Sequence, residues 1–157
     1  MSPPFFLQQK FKLSLILNDL TDTITPLPGV PKDFELVYGS GVAHADWGST
    51  KYTISADGSA VKQRIKHFRD KDQNPEIKRC QLTAEELGGL WKEIQAVKFF
   101  RLKENYTNPR IMDGSSNFIY VKANGKEHTV SVMNTEVKAF DRIANDVENL
   151  FDKKVAR

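Results

Sequence analysis

Two tight-turn dipeptides, each followed by an amphipathic segment of helical spacing, constrain this chain more than anything else in it. The first is Asp57-Gly58, with a helical segment beginning near Thr83; the second is Asn124-Gly125, with a segment beginning near Thr135. Both dipeptides suit the type I′ turn, whose two central residues need φ > 0. Each is flanked by residues of strand character, so each marks a β-hairpin. Hairpin followed by helix, twice over, predicts an α+β domain.

The turns also predict registers. If Asp57-Gly58 is the whole loop, Ile54 faces Val61, Tyr52 faces Gln63 and Thr50 faces Ile65. The opposite face then pairs Thr53 with Lys62 and Lys51 with Arg64. Around Asn124-Gly125 the same rule sets Ile119 against Val130, Val121 against His128 and Lys122 against Glu127. Phe34 to Tyr38 reads as an earlier strand.

The helices are signalled at both ends. Thr83 and Glu86 have capping-box spacing, and Leu82 is placed to staple onto Leu87. Leu87, Leu90, Trp91, Ile94 and Val97 form one apolar stripe. Gly88-Gly89 inside it costs about 1 kcal/mol per glycine against alanine, which points to a close approach to the sheet. Asn134 or Thr135 caps the second helix. Its stripe runs from Val137 through Phe140, Ile143, Ala144 and Val147 to Leu150 and Phe151, and Lys153 and Lys154 suit its negative end. Residues 69–81 and 104–116 read as loops. The expected architecture is a mostly antiparallel sheet of about five to six strands with two helices packed on one face, a βββαββα core.

With 157 residues the chain defaults to one domain. Residues 1–31 are expected to be an N-terminal extension and residues 32–157 a single α+β domain. Phe11, Leu13, Leu15 and Leu17 alternate with Lys12, Ser14 and Ile16, which favours a strand. Pro26, Pro28 and Pro31, with Gly29 among them, make an extended linker. An isolated strand has unpaired edges. It pairs back onto the sheet, exchanges into a homodimer, or is left as a tail of low order.

Composition excludes more than it identifies. A net charge of +3 is too small and too dispersed to argue for nucleic acid. The single Cys80 excludes an intrachain disulfide and a cysteine-rich zinc site. Its place before a helix is where thiol pKa values fall, but a half-buried apolar residue is the plainer account. No run approaches the roughly 20 apolar residues of a membrane span. Asn18 and Asp19, rather than a small-residue cleavage site, follow the apolar run Leu13–Leu17. As written the chain reads as cytoplasmic; removal of a leader would instead make it extracytoplasmic.

From Leu82 to Leu150 there is a recurring pattern: Leu82-Thr83, Glu86, Leu90-Trp91, Ile94, Phe99-Phe100, Leu102 and Tyr106. Asp113-Gly114, Asn124-Gly125-Lys126, Val130, Asn134, Phe140 and Ile143 follow. This resembles a loose group of small uncharacterised α+β domains of archaea and bacteria, often found behind lipoprotein or secretory leaders. The resemblance covers under half of the chain, on core and turn positions. It implies a fold and no activity. Some related bacterial domains carry a cysteine pair in the early strands, which this chain lacks, so no redox role carries over.

Two constellations remain. His44, Asp46, Asp113 and His128 could be assembled into a metal or acid/base site, with Trp47 beside them as a binding aromatic. Their spacing demands nothing of the kind, and there is no HExxH motif and no nucleophile elbow. The plainer account is unrelated loop and hairpin residues. Lys62, Arg64 and Lys66 alternate along one strand, and Lys51 joins them under the register above. Like charges directly opposite are destabilising, so this stripe calls for an anionic ligand, for Glu35, or for open solvent. Tyr52 and Phe68 fall on the other face under that register, which weighs against a nucleic-acid platform. No phosphate-cradling or cofactor motif is present. The sequence therefore favours a non-enzymatic binding or accessory module with a protein partner or anionic ligand. A small hydrolase or metal-dependent enzyme and a strand-exchanged dimer are the alternatives.

Overall fold

The computed structural model describes residues 25–41, 48–65, 75–111 and 116–155. Among these, seven strands make one sheet: β1 (Glu35–Ser40), β2 (Ser49–Ser55), β3 (Ser59–Ile65), β4 (Glu76–Gln81), β5 (Asn105–Thr107), β6 (Ser116–Ala123) and β7 (Lys126–Met133). Two helices, α1 (Ala84–Ala96) and α2 (Lys138–Val155), accompany them, with a 3₁₀ turn at Phe99–Arg101. The strand order is β4-β3-β2-β1-β6-β7-β5, antiparallel except for the β5–β7 pair. The fold is α+β with a mostly antiparallel sheet, and its chain order is ββββαβββα rather than βββαββα.

The two additional strands lie where loops were expected. β4 reads Glu-Ile-Lys-Arg-Cys-Gln and is almost wholly exposed. It is an edge strand, and charged side chains there deter pairing with other chains, which erases the alternation that marks an interior strand. β5 has three residues, too few to show a period.

The first hairpin corrects the expected register by one residue. Ile54 pairs with Ala60, Tyr52 with Lys62, Thr53 with Val61 and Thr50 with Arg64. The loop is Ala56-Asp57-Gly58, closed by the Gly58 N–H donating to Ser55 O at 2.9 Å. Gly58 has φ +84°, the left-handed residue of a three-residue hairpin loop. The backbone also demands glycine: a Cβ would stand 2.5 Å from the Leu82 carbonyl oxygen. That oxygen belongs to the residue whose N–H donates to Gly58 O at 2.9 Å.

The second hairpin has the expected register, with Ile119 on Val130, Val121 on His128 and Lys122 on Glu127. Asn124 (φ 54°) and Gly125 (φ 74°) supply the two left-handed residues. Asp33, ahead of β1, accepts both of their N–H groups at 2.7 Å. Within the expected linker, Leu27 N–H donates to Ala56 O at 2.9 Å and Val30 is buried.

One sheet face carries the core. Leu36, Ile54, Ile119, Val121 and Val130 are fully buried there. Against them α1 places Leu87, Leu90, Trp91 and Ile94, and α2 places Phe140, Ile143, Val147 and Phe151. Each fully buried side chain of this size contributes roughly 1.5–3 kcal/mol of apolar transfer. The capping box at Thr83 forms as expected: Thr83 N–H donates to Glu86 Oε2 at 2.9 Å and Glu86 N–H to Thr83 Oγ1 at 3.1 Å. Glu86 also pairs with Lys154 at 2.9 Å, tying the start of α1 to the end of α2. Burial works against the Glu86 charge, but the Thr83 N–H and Lys154 outweigh it and hold the carboxyl below its ordinary value. Arg142 and Glu93 form a second ion pair between the helices.

Gly88 and Gly89 do not mark a close approach to the sheet, because a Cβ at either would meet nothing within 4 Å. Gly88→Ala and Gly89→Ala should each stabilise the fold by about 0.5–1 kcal/mol, whereas Gly58→Ala should cost about 2 kcal/mol. Urea unfolding of the three variants checks both signs.

Asp33 supplies a pH test. The Gly125 N–H, with help from that of Asn124 and from Lys122, holds its carboxyl below the ordinary value against a modest burial effect. A carboxyl lowered in the fold contributes above its unfolded value, near ~3.9, and loses that contribution as the pH falls through the folded value. Asp33→Asn should therefore be less stable than the parent at neutral pH. The gap should close on acidification, as read by thermal midpoints taken across the acid range.

Candidate functional site: the uncovered sheet face

Both helices pack on the face bearing Leu36 and Ile54, so the other face is built from the alternate residues of each strand. Among the described residues no helix lies over it. The pairings set out its rows. One runs Ile77, Gln63, Lys51, Gly39, Phe118, Ser131 and Asn105. The next runs Arg79, Val61, Thr53, Val37, Tyr120 and Thr129.

Toward β3 and β4 this face carries exposed apolar side chains. Ile65 is 42% exposed and Ile77 48% exposed, two of the four large apolar side chains left open among the described residues. They are diagonal neighbours, since Ile77 pairs with Gln63 and Ile65 follows Gln63 by two on the same strand. Val61, Val37 and Phe118 continue the patch half-buried. Gly39 leaves room for the Phe118 ring, which occupies the space of a Cβ: one built there would lie 2.2 Å from the ring. Here glycine exists for a close approach, and the aromatic covers the backbone that glycine exposes. Lys51 and Arg79 are exposed cations of this face near the patch; farther along, Lys122 lies on it between Glu35 and Glu127.

At the β7 end the face opens into a shallow polar cleft of about 400 Å³ lined by Glu104, Asn105, Tyr120, Glu127, His128, Thr129 and Ser131. Partial desolvation, then a hydrogen bond to Glu127, moves the Tyr120 hydroxyl above its ordinary value, so it stays a neutral donor. On β7 the cleft lies beside the stretch before Ser131, where the pairing with β5 begins.

The register shift divides the expected basic stripe. Lys51 lies on the uncovered face, whereas Lys62 and Arg64 lie on the helix side. The Lys51–Arg64 opposition does not exist; Lys51 faces Gln63 and Arg64 faces Thr50. Tyr52, expected apart from the cations, shares their face, with the Lys62 ammonium 5.3 Å from its ring centre. That geometry falls in the range of a cation–π contact. Tyr52 stacks on Tyr38 at 5.4 Å and meets Phe151 at 5.0 Å. Burial, with Glu148 and Asp152 nearby, pushes the Tyr52 hydroxyl up to about 12. Tyr38 donates to Glu148 at 3.0 Å, and burial raises its hydroxyl too. These tyrosines are neutral packing groups.

His128 is on the helix-side register as expected. Its Nε2 donates to Leu102 O at 2.8 Å, and its ring meets Phe99 at 5.6 Å and Phe100 at 6.4 Å. It fastens the 3₁₀ turn to β7. His44, Asp46, Trp47, Lys66 and Asp113 lie outside the described residues, as does the expected strand at 11–17. Among the described residues no three His, Cys, Asp or Glu side chains are grouped to hold a metal. No described helix is long and apolar enough to cross a membrane. Cys80 belongs to β4, and burial raises its thiol above the ordinary value, so no helix terminus activates it.

No protein-family model matches the chain, and no curated protein does either. Sequence reasoning missed Val61, Ile65, Ile77 and Phe118. For Val61 and Ile65 on β3 the deciding feature is the loop length at Gly58. Ile77 lies on β4, which carried no strand signal, and the face of Phe118 follows from the Asn124-Gly125 register.

A fastening role for His128 predicts that His128→Leu costs about 1 kcal/mol, by stranding the half-buried Leu102 carbonyl. Chemical denaturation measures it, and a site role alone would leave stability unchanged.

Proposed function

We propose that this protein is a non-enzymatic binding module whose uncovered sheet face receives an extended polypeptide segment. The observation that carries this reading is the Ile65–Ile77 pair, exposed at 42% and 48%, and continued inward by Val61, Val37 and Phe118. Exposed apolar side chains that adjoin one another mark an interaction surface more often than scattered ones do. The apolar positions fall at strand spacing, and a segment with period-two alternation presents side chains at that same spacing. Lys51 and Arg79 beside the patch favour acidic residues in the partner, which would aid encounter and orientation. The polar cleft at Tyr120 and Glu127 offers hydrogen-bonding groups at the far end.

Peptides selected from a random library on the full chain provide the test. Selected sequences should alternate apolar residues and carry acidic flanks. Ile77→Lys should weaken them by roughly tenfold or more, the factor set by losing about 1.4 kcal/mol of burial. Gln95→Lys, on the exposed side of α1, should leave the affinity unchanged. An empty selection, or binders indifferent to both Ile77→Lys and Val61→Lys, would remove the reading.

A further inference from the structure

We infer that the cleft at the β7 end of this face seats a basic side chain of the docked segment, six or eight residues from that segment's apolar anchor. The inference rests on the docking role proposed for the face and adds the charge order and spacing that the partner must have. The distribution of charge is the first argument. Near the apolar patch the face carries Lys51 and Arg79, whereas at the other end Glu104 and Glu127 stand in one cleft of about 400 Å³. Among the described residues neither carboxylate is in an ion pair. Lys122 lies across from Glu127, but Glu35 flanks it on its other side, so one cation is shared between two anions. The Tyr120 hydroxyl, in the same cleft, donates to Glu127. Thr129 and Ser131 add hydroxyl oxygens and Asn105 an amide oxygen. A guanidinium carries five N–H donors in a planar fork and an ammonium three, so two carboxylates and further acceptors around one cleft suit arginine better than lysine.

The path between the two ends is the second argument. The row Ile77, Gln63, Lys51, Gly39, Phe118 and Ser131 leads straight from the apolar patch to the cleft. From β4 to β7 there are five strand spacings, which at about 4.8 Å each make roughly 24 Å. An extended segment crossing the strands covers that in about seven residues at 3.3 Å each. Side chains that both point at the sheet are separated by an even number of residues, hence six or eight. On the way the segment passes Lys51, where an acidic residue is favoured, and crosses the Phe118 ring. For a given segment this order is met in one orientation only. Reversed, its basic end would meet Lys51 and Arg79, and like charges brought together reject the wrong arrangement.

Peptides selected on the full chain are the material for the test, read by binding titration. Those that lose affinity on Ile77→Lys should carry arginine, or less often lysine, six or eight positions from an apolar residue. Changing that basic residue to glutamine in a synthetic peptide should weaken binding roughly fivefold, the size expected of exposed ion pairs. Against the chain carrying Glu104→Gln and Glu127→Gln, the same peptide change should cost less than twofold. Peptides that depend on Ile77 but have no basic residue at that spacing would overturn the inference and leave the docking role standing. An equal loss on both proteins would do the same, since the basic residue would then sit elsewhere. Selection on the chain carrying Glu104→Lys and Glu127→Lys gives an independent reading. Acidic residues should replace the basic one, and an unchanged preference would overturn the inference. An empty selection on the parent chain would strike the docking role itself, and the inference would fall with it.

Discussion

One loop residue decides the chemistry of this protein's free surface. In a β-sheet the side chains alternate, so a register slip of one moves an entire strand's side chains to the other face. Gly58, left-handed at φ +84° and wedged against Leu82 O, fixes a three-residue loop. With a two-residue loop, Lys62 and Arg64 would join Lys51 on the uncovered face, and Val61 and Ile65 would turn toward the helices. The observed loop does the reverse. It places cations beside Tyr52 at the margin of the core and leaves isoleucines in the open.

The same loop organises its surroundings. Gly58 O accepts from Leu82, and Ala56 O accepts from Leu27, so one turn ties together the chain before β1, the β2–β3 hairpin and the approach to α1. Leu82 then stands directly before the capping box at Thr83, and Glu86 of that box reaches Lys154 at the end of α2. Charge and backbone geometry thus run continuously from the hairpin to both helices. The ion pairs are partly exposed and individually worth little. Their value is orientation, since the apolar stripes of α1 and α2 do the stabilising.

Much of this was legible in the residues. The second hairpin's register followed from Asn124-Gly125, because only a two-residue type I′ turn uses two left-handed positions in succession there. The capping box, the two stripes and the helix-side position of His128 followed from spacing. Three things did not. Asp-Gly serves two loop lengths, and nothing local to Asp57-Gly58 distinguishes them; the deciding contact is with Leu82, distant in sequence. β4 looks like a loop because an edge strand is selected for charge rather than alternation. The Gly88-Gly89 pair looked like a packing device and is open space, so its cost of about 1 kcal/mol per glycine has no compensation in the contacts around it.

An uncovered sheet face is normally polar, because antiparallel sheets with one solvated side alternate apolar-in with polar-out. On β3 and β4 that alternation is broken from both sides: Lys62 and Arg64 sit on the helix side, Val61, Ile65 and Ile77 on the solvent side. The helix-side cations lie toward the β3 end, where Lys62 can extend over Tyr52 and keep its ammonium near water, as long basic side chains do. The outward isoleucines have no such remedy. With 42% and 48% of Ile65 and Ile77 still exposed, covering both would add roughly 1–3 kcal/mol, about half of what full burial of two such side chains gives. The polarity is inverted on β3 and β4, and Val37 on β1 and Phe118 on β6 carry apolar side chains onward from there; that departure from the rule is the ground on which a docking role is proposed.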